Sequence, residues 1–261
     1  MLSPGIDLSL ASSPPSASSE LLGTLEIAGI SLVDCSAEQA LGFLCRRIRE
    51  NRMTQVAFVN AHVVETMRRM PAYRALLANT VNFNDGVGIA LAARLRGRRL
   101  RANLNGTDFC PRLLSEAARQ GWPVFIYGAR PDSLARALQS ARTVFPGIRI
   151  EGHAGYGSEP GAEIAHEIRR FKARIVLVAL GVPEQDAWLR EHLAATGSTV
   201  GLGVGAFVDF LGGSVRRAPV LWRKARMEWC WRLLQEPRRL GPRYLLGGPR
   251  FLWWAWRNRR I

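Results

Sequence analysis

Several familiar devices are missing from this chain, and each absence narrows what it does. No stretch reaches the roughly eighteen consecutive apolar residues that a membrane-crossing helix needs. The first residues lack the basic flank and apolar run of a signal peptide, so any membrane contact is expected to be peripheral. Four cysteines (Cys35, Cys45, Cys110, Cys230) are scattered without a CxxC pair and read as reduced structural thiols. Four histidines (His62, His153, His166, His192) form no HxxxH pair, so no zinc site is expected. There is no GxxxxGK loop and no GxSxG elbow, which removes P-loop NTPases and α/β-hydrolases. The glycine runs Gly86–Leu91 and Gly201–Gly205 do not fit GxGxxG, which holds down a nicotinamide oxidoreductase. DxD is absent as well. A sugar-nucleotide diphosphate would then be held by helix N-termini, loop amides and arginines rather than by a metal clamp.

What is present is size, apolar content and lopsided charge. The 261 residues are 48% hydrophobic and 22% charged, enough for one large α/β domain plus an appendage. Net charge is +15. From Arg216 to Ile261 thirteen Lys/Arg face two acids, Glu228 and Glu236, so +11 of that charge lies in the tail. Six of the eight Trp lie there too: Trp222, Trp229, Trp231, Trp253, Trp254 and Trp256. A basic, Trp-rich segment suits an anionic membrane surface, where Trp sits at headgroup level and Arg meets phosphate. Nucleic acid is the rival partner for any basic protein, and a non-catalytic basic module is the rival class.

Residues 1–20, rich in Ser and Pro with no Lys or Arg, read as a disordered leader. From there strands and helices alternate. Leu25–Val33 is a strand or hairpin around Gly29. A capping box at Ser36–Gln39 opens an amphipathic helix. Strands are expected at Gln55–Asn60, Val81–Phe83, Trp122–Tyr127, Ile148–Gly152, Arg174–Leu180 and Thr199–Val204. Helices lie between them, one capped by Thr107 or Asp108 and one opened by Pro131. The alternation predicts an α/β fold: a Rossmann-like, mostly parallel sheet over residues 21–215 with flanking helices, and a basic Trp-rich helical appendage over 216–261. Arg94–Arg101 reads as a solvated basic connector. Four strand ends carry small or polar loops: Asn60, Asp85–Gly86, Gly128–Ala129 and Gly181–Pro183. Such loops on one sheet edge make a nucleotide-type cleft.

Asp85 sits where a strand stops and a helix starts. Locally it reads as an N-cap with Gly86 in the turn. At that edge it can equally face a ligand and accept a proton. A carboxylate engaged in capping is stabilised as the anion and is a weaker base, so a catalytic Asp85 is expected to face the cleft. Tyr156, between Gly155 and Gly157, stacks on a uracil ring or packs. Trp188, four residues into a helix, reads as core. Arg216, Arg217, Arg223 and Arg226 read as a solvated basic face. Trp253, Trp254 and Trp256 either dock on the core or, with Arg250, Arg257, Arg259 and Arg260 around them, form an interfacial helix.

The ordered set NDG (Asn84–Gly86), NGTD (Asn105–Asp108), VFIYGA (Val124–Ala129), GYG (Gly155–Gly157) and ALGVPEQDAWL (Ala179–Leu189) resembles the WecG/TagA/CpsF family of bacterial glycosyltransferases. So does the run GVGAFVDFLGG, RRAP, MEWCWRLLQEPRR (Gly203–Arg239). The resemblance covers residues 24–245. It implies inverting transfer of a hexose or N-acetylhexosamine from a UDP-sugar to a polyprenyl-diphosphate-linked sugar. No metal and no cofactor are required, and the site is the inner face of the cytoplasmic membrane. It implies Asp85 as general base, Gln185 as a donor contact and Asn60 as the asparagine of a TxN element. Asn84, Gly86, Asn103, Asp108, Gly128, Ala129, Tyr156 and Gly181 join the donor and acceptor site. Arg217, first, and Arg223 come from the tail to the diphosphate. The chain departs from the family at Phe58, where a threonine is usual, at Asn103 for arginine, and at Asp186 for glutamate. The replaced threonine and arginine favour glucose as donor, as in xanthan-type exopolysaccharide assembly, with N-acetylmannosamine or its uronic acid as the alternative. The partners implied are the UDP-sugar, the lipid-linked acceptor and an anionic membrane surface met by 216–261, with no nucleic acid.

Overall fold

The computed structural model describes residues 23–155, 157, 159–215, 217–219, 221–222 and 227–258, so the expected leader lies outside the described residues. β1 (Gly23–Ile27) and β2 (Ile30–Asp34) form an antiparallel hairpin. Ala28 and Gly29, with φ of 58° and 72°, make its two-residue turn, and two positive-φ positions match the twist of the strands they join. Ser36 and Gln39 then form the expected capping box: Gln39 N donates to Ser36 Oγ (3.2 Å) and Ser36 N to Gln39 Oε1 (2.9 Å). α1 (Ala37–Arg49) follows.

The remaining elements alternate. β3 (Thr54–Val59) leads to α2 (Ala61–Arg69) and α3 (Pro71–Leu77). β4 (Val81–Asn84) leads to α4 (Gly86–Leu95), and α5 (Gly106–Gln120) crosses to β5 (Val124–Gly128). Then come α6 (Pro131–Val144), β6 (Ile150–His153), α7 (Gly161–Phe171), β7 (Ile175–Ala179), α8 (Glu184–Thr196), β8 (Val200–Gly203) and α9 (Phe207–Leu211). Among the described residues the eight strands form one sheet in the order β1-β2-β4-β3-β8-β7-β5-β6. Every pairing after the first hairpin is parallel. The fold is thus the α/β, mostly parallel sheet with flanking helices. The helix cap expected at Thr107 or Asp108 falls instead on Asn105, whose Oδ1 takes Asp108 N at 2.9 Å. From the residue just before the helix, its side chain reaches the third amide directly.

Burial on both faces explains the apolar strands. Along β3, Val56 and Phe58 enter one core while Ala57 and Val59 enter the other. Buried thiols are structural: burial pushes Cys35 and Cys45 up to about 11.

The C-terminal segment forms α10 (Glu228–Gln235), α11 (Pro237–Gly241), a π-helical turn over Pro242–Gly247, and α12 (Gly248–Arg257). α12 docks by one face only. Phe251 and Ala255 are fully buried in the core beneath α2 and α4. A Cβ on Gly88 of α4 would stand 3.1 Å from Ala61 Cβ and 3.5 Å from Phe251, so the small residue lets the helices close. Trp254 lies between the guanidinium groups of Arg68 (5.0 Å) and Arg96 (5.9 Å). Trp253 and Trp256 point outward, 58% and 52% exposed. Trp254 thus packs against the core, while Trp253 and Trp256 face outward from the same helix.

Candidate active site

A cleft of about 620 Å³ opens outside the carboxyl ends of β3, β4, β5, β7 and β8. Its size is that of small-molecule sites, and its place is where doubly wound sheets hold ligands. The structure brings the four singled-out strand ends together there: Asn60, Asp85, Ala129 and Gly181 all line it, with Gln185.

Asp85 occupies the N-cap position of α4, yet its side chain makes no cap bond. Its backbone N–H goes to Val59 O (2.8 Å), and its Oδ2 accepts from Asn60 Nδ2 (3.0 Å). Asn60 is held from its other end: its Oδ1 takes the amides of His62 and Val63 and caps α2. One asparagine thus ties the carboxylate to a helix start. The first amide of α4 is taken from outside the helix, where Asn103 Oδ1 accepts Gly86 N at 2.9 Å. The carboxylate stays in the cleft while the first amide of α4 is satisfied.

Gln185 lies at the base of the same cleft, 4% exposed. Its Oε1 accepts Gly205 N (2.9 Å), and its own backbone N–H goes to Gly181 O (2.8 Å). Asp186 beside it is buried and faces away from the cleft. Its Oδ2 accepts from Tyr73 OH at 2.6 Å, and its Oδ1 has no partner. Burial raises its pKa to about 6 and raises that of Tyr73 as well. Gly203 of β8 makes room for both side chains: a Cβ there would lie 2.5 Å from Asp186 Oδ1 and 2.7 Å from Gln185 Nε2.

The other expected residues are distributed differently. Asn84 is buried and stitches the sheet edge, donating to Val33 O and accepting from Leu104 N, each at 3.4 Å. Gly128 has φ 115°, and a Cβ on it would stand 2.6 Å from the Ala179 backbone, so the neighbouring strand requires glycine there. Gly181, with φ 87°, has open space where a Cβ would be and faces the cleft. Asp108 accepts from Asn105 Nδ2 (2.7 Å) and pairs with Arg217, whose Nε also lies 3.7 Å from Glu228. That arginine is a buried brace between α5 and the tail rather than an open cleft cation. Tyr156 and Arg223 lie outside the described residues. Trp188 is core, its ring tilted against Tyr127 (centroids 4.9 Å apart) and His192 (5.2 Å).

The far wall of the cleft was not foreseen from sequence. Arg130, Asp132, Ser133 and Arg136 at the start of α6 line it, with Asp209, Ser214, Arg232 and Glu236. Arg136 Nη2 bonds Asp132 Oδ2 and Ser214 Oγ, each at 2.9 Å. Arg130 follows Gly128–Ala129 directly, so a strand-end loop already singled out carried the signal. Phe58 also lines the cleft, packed against Phe83 and Phe109. Among the described residues no three His, Cys, Asp or Glu side chains gather as metal ligands.

A parallel α/β sheet whose edge cleft holds Asp85, Asp132, Asp209 and Glu236 beside Arg130, Arg136 and Arg232 suits a group-transfer enzyme. Comparison with known proteins makes this specific. Residues 25–261 match the model of the glycosyl transferase WecG/TagA/CpsF family, and the chain belongs to that family. It is a glycosyltransferase, and the reading of a non-catalytic basic module falls. A curated relative from Bacillus spizizenii (strain ATCC 23059 / NRRL B-14472 / W23) is 28% identical over 204 residues, 78% of this chain and 79% of the relative. That relative is an N-acetylglucosaminyldiphosphoundecaprenol N-acetyl-beta-D-mannosaminyltransferase. Among solved structures, RecJ of Thermus thermophilus in complex with Mn2+ is 22% identical with a TM-score of 0.28. The match covers 58% of this chain and 22% of that one, and it carries no argument.

Proposed function

We propose that the chain transfers a sugar from a UDP-sugar to a polyprenyl-diphosphate-linked sugar with inversion at the anomeric carbon, using Asp85 as general base. The acceptor hydroxyl gives its proton to Asp85 as its oxygen bonds the anomeric carbon. The bond from that carbon to the diphosphate oxygen breaks, and UDP leaves with the electron pair. The observation that carries this reading is the Asp85 carboxylate in the cleft, held by Asn60 at 3.0 Å and making no cap bond to α4. On the β5–β7–β8 side, Ala129, Gly181 and Gln185 would receive the donor, with Arg130 and Arg136 as the nearby cations for its diphosphate.

The relative's activity supports N-acetylmannosamine as the sugar moved and a diphosphoundecaprenol-linked N-acetylglucosamine as acceptor. Glucose in exopolysaccharide assembly is the second reading, favoured by Phe58, which gives the cleft an apolar floor where a hydroxyl is usual. Parallel assays of UDP-N-acetylmannosamine and UDP-glucose, on short-chain lipid-diphosphate acceptors carrying N-acetylglucosamine or glucose, decide between them. Asp85→Asn should remove turnover with the productive pair. Full activity in that variant would overturn the base assignment.

Membrane contact is proposed through the outward face of the tail. Trp253, Trp256, Leu245 and Leu246 are exposed there beside Arg250 and Arg257. No helix among the described residues is long and apolar enough to cross a membrane, so such contact would be peripheral. Trp253→Ser/Trp256→Ser should weaken binding to anionic vesicles. Undiminished binding would remove α12 as the anchor.

A further inference from the structure

The connector after α4 carries five arginines and no acid in eight residues: Arg94, Arg96, Arg98, Arg99 and Arg101 around Leu95, Gly97 and Leu100. Its default reading is a solvated loop. A helix C-terminus attracts cations, and that accounts for Arg94 in the last turn of α4 and Arg257 in the last turn of α12. It does not account for Arg98, Arg99 and Arg101, which lie beyond the helix and are exposed. Among the described residues no carboxylate forms an ion pair with Arg94, Arg98, Arg99 or Arg101.

Position gives this cluster a use. α4 and α12 lie side by side in the same direction. Gly88, near the start of α4, meets Phe251, and Arg96, at its end, meets Trp254 and Asn258. Arg96 Nη2 donates to Asn258 O at 3.0 Å, which fastens the two C-terminal ends together. Leu100 packs into the same core as Phe251 and Ala255, so the connector is held against the protein rather than loose. Exposed Leu95 and the exposed arginines therefore stand at the end of α12 that carries Trp253, Trp256 and Arg257. At its other end the connector reaches Asn103, which bonds Gly86 N beside Asp85.

We propose that Arg94–Arg101 is a second anionic-lipid contact, so that the membrane face runs from α12 across the catalytic domain to the rim of the cleft. The occupant is a bilayer rich in acidic headgroups. Asp34 Oδ1 accepts the backbone N–H of Arg101 at 2.7 Å, and the closely spaced arginines outnumber that acid and attract such a surface, while the neighbouring tryptophans and Leu95 suit its interface. The proposal rests on the membrane reading of α12, and it adds a different element that can fail separately.

The test compares the full chain, Arg94→Gln/Arg98→Gln/Arg99→Gln, and Trp253→Ser/Trp256→Ser on phosphatidylcholine vesicles with and without phosphatidylglycerol. The triple arginine variant should lose roughly a hundredfold in partitioning onto phosphatidylglycerol vesicles. Its transfer to a short-chain, water-soluble acceptor should be unchanged. Equal binding by the triple variant and the parent, with loss only in the tryptophan variant, overturns the connector and leaves the tail reading standing. No vesicle binding by the parent overturns both. Binding indifferent to phosphatidylglycerol overturns the charge-based contact. Tighter retention on a duplex oligonucleotide than on acidic vesicles at the same salt overturns lipid as the partner.

Discussion

Asn60 Nδ2 lies 3.0 Å from Asp85 Oδ2, while Asn60 Oδ1 holds the first amides of α2. The residue that caps one helix thereby aims the carboxylate at the mouth of the next. A single side chain couples sheet-edge structure to the chemistry of the cleft.

Replacing Asp85 separates chemistry from folding. Its side chain makes no cap bond, so Asp85→Asn should leave the melting temperature nearly unchanged. Loss of the base should lower kcat by about 10²- to 10⁴-fold. Asn60→Ala should behave differently. It removes both the aim of Asp85 and the α2 cap, so kcat falls and stability drops by about 1 kcal/mol. Thermal melts beside steady-state rates check both. An Asn60→Ala variant of normal stability and normal rate would sink the coupling.

Asn103 offers a sharper test. With Asn103→Ala, Gly86 N loses its acceptor, and the Asp85–Gly86 turn loses the tie that fixes it. A less firmly placed carboxylate meets the acceptor hydroxyl less often in line, so turnover should fall about tenfold or more with donor KM little changed. Asn103→Asp keeps an acceptor oxygen and should restore most of the rate. Equal rates for Asn103→Ala and Asn103→Asp would exclude this role.

Much of this arrangement was legible in the chain, and the limits are physical. Strand ends at Asn60, Asp85, Ala129 and Gly181 could be read because turns need particular residues at particular places. Gln185 and Asp85 came from local pattern and family resemblance together. What local pattern could not give was direction. Asn84 and Asp85 are adjacent, yet one stitches the sheet to Val33 and Leu104 and the other lines the cleft. Arg217 reads as cationic surface, but tertiary packing buries it against Asp108. The tail forms the expected helical appendage, and the room left by Gly88 of α4, where Phe251 docks, is a contact that local pattern does not reveal. Each miss involves partners far apart in sequence.

Gly203 should tolerate no side chain. Its Cβ would fall 2.5 Å from Asp186 Oδ1 and 2.7 Å from Gln185 Nε2. Gly203→Ala must push Gln185 out of register with Gly205, so donor KM should rise several-fold. Overpacking there should cost about 1–3 kcal/mol. Isothermal titration with UDP and a denaturation curve read the two effects. Unchanged UDP affinity would mean that Gln185 is no part of the donor site.

Asp186 predicts how stability changes with pH. Burial raises its pKa in the folded protein to about 6, from an ordinary 3.8. The protonated form is the comfortable one, so its contribution is complete below about pH 4 and is lost as pH rises through about 6. Asp186→Asn has no such loss. Its stability relative to the parent should therefore grow between pH 4 and pH 7, by about 2–3 kcal/mol. Carboxylates held down by hydrogen bonds, such as Glu38 by its own backbone amide and then by Arg112, act in the opposite sense, but they are common to both proteins and cancel in the difference. Urea melts of the pair across that range measure it directly. A difference that stays flat with pH would mean that Asp186 ionises at its ordinary value, with solvent or a cation reaching Oδ1.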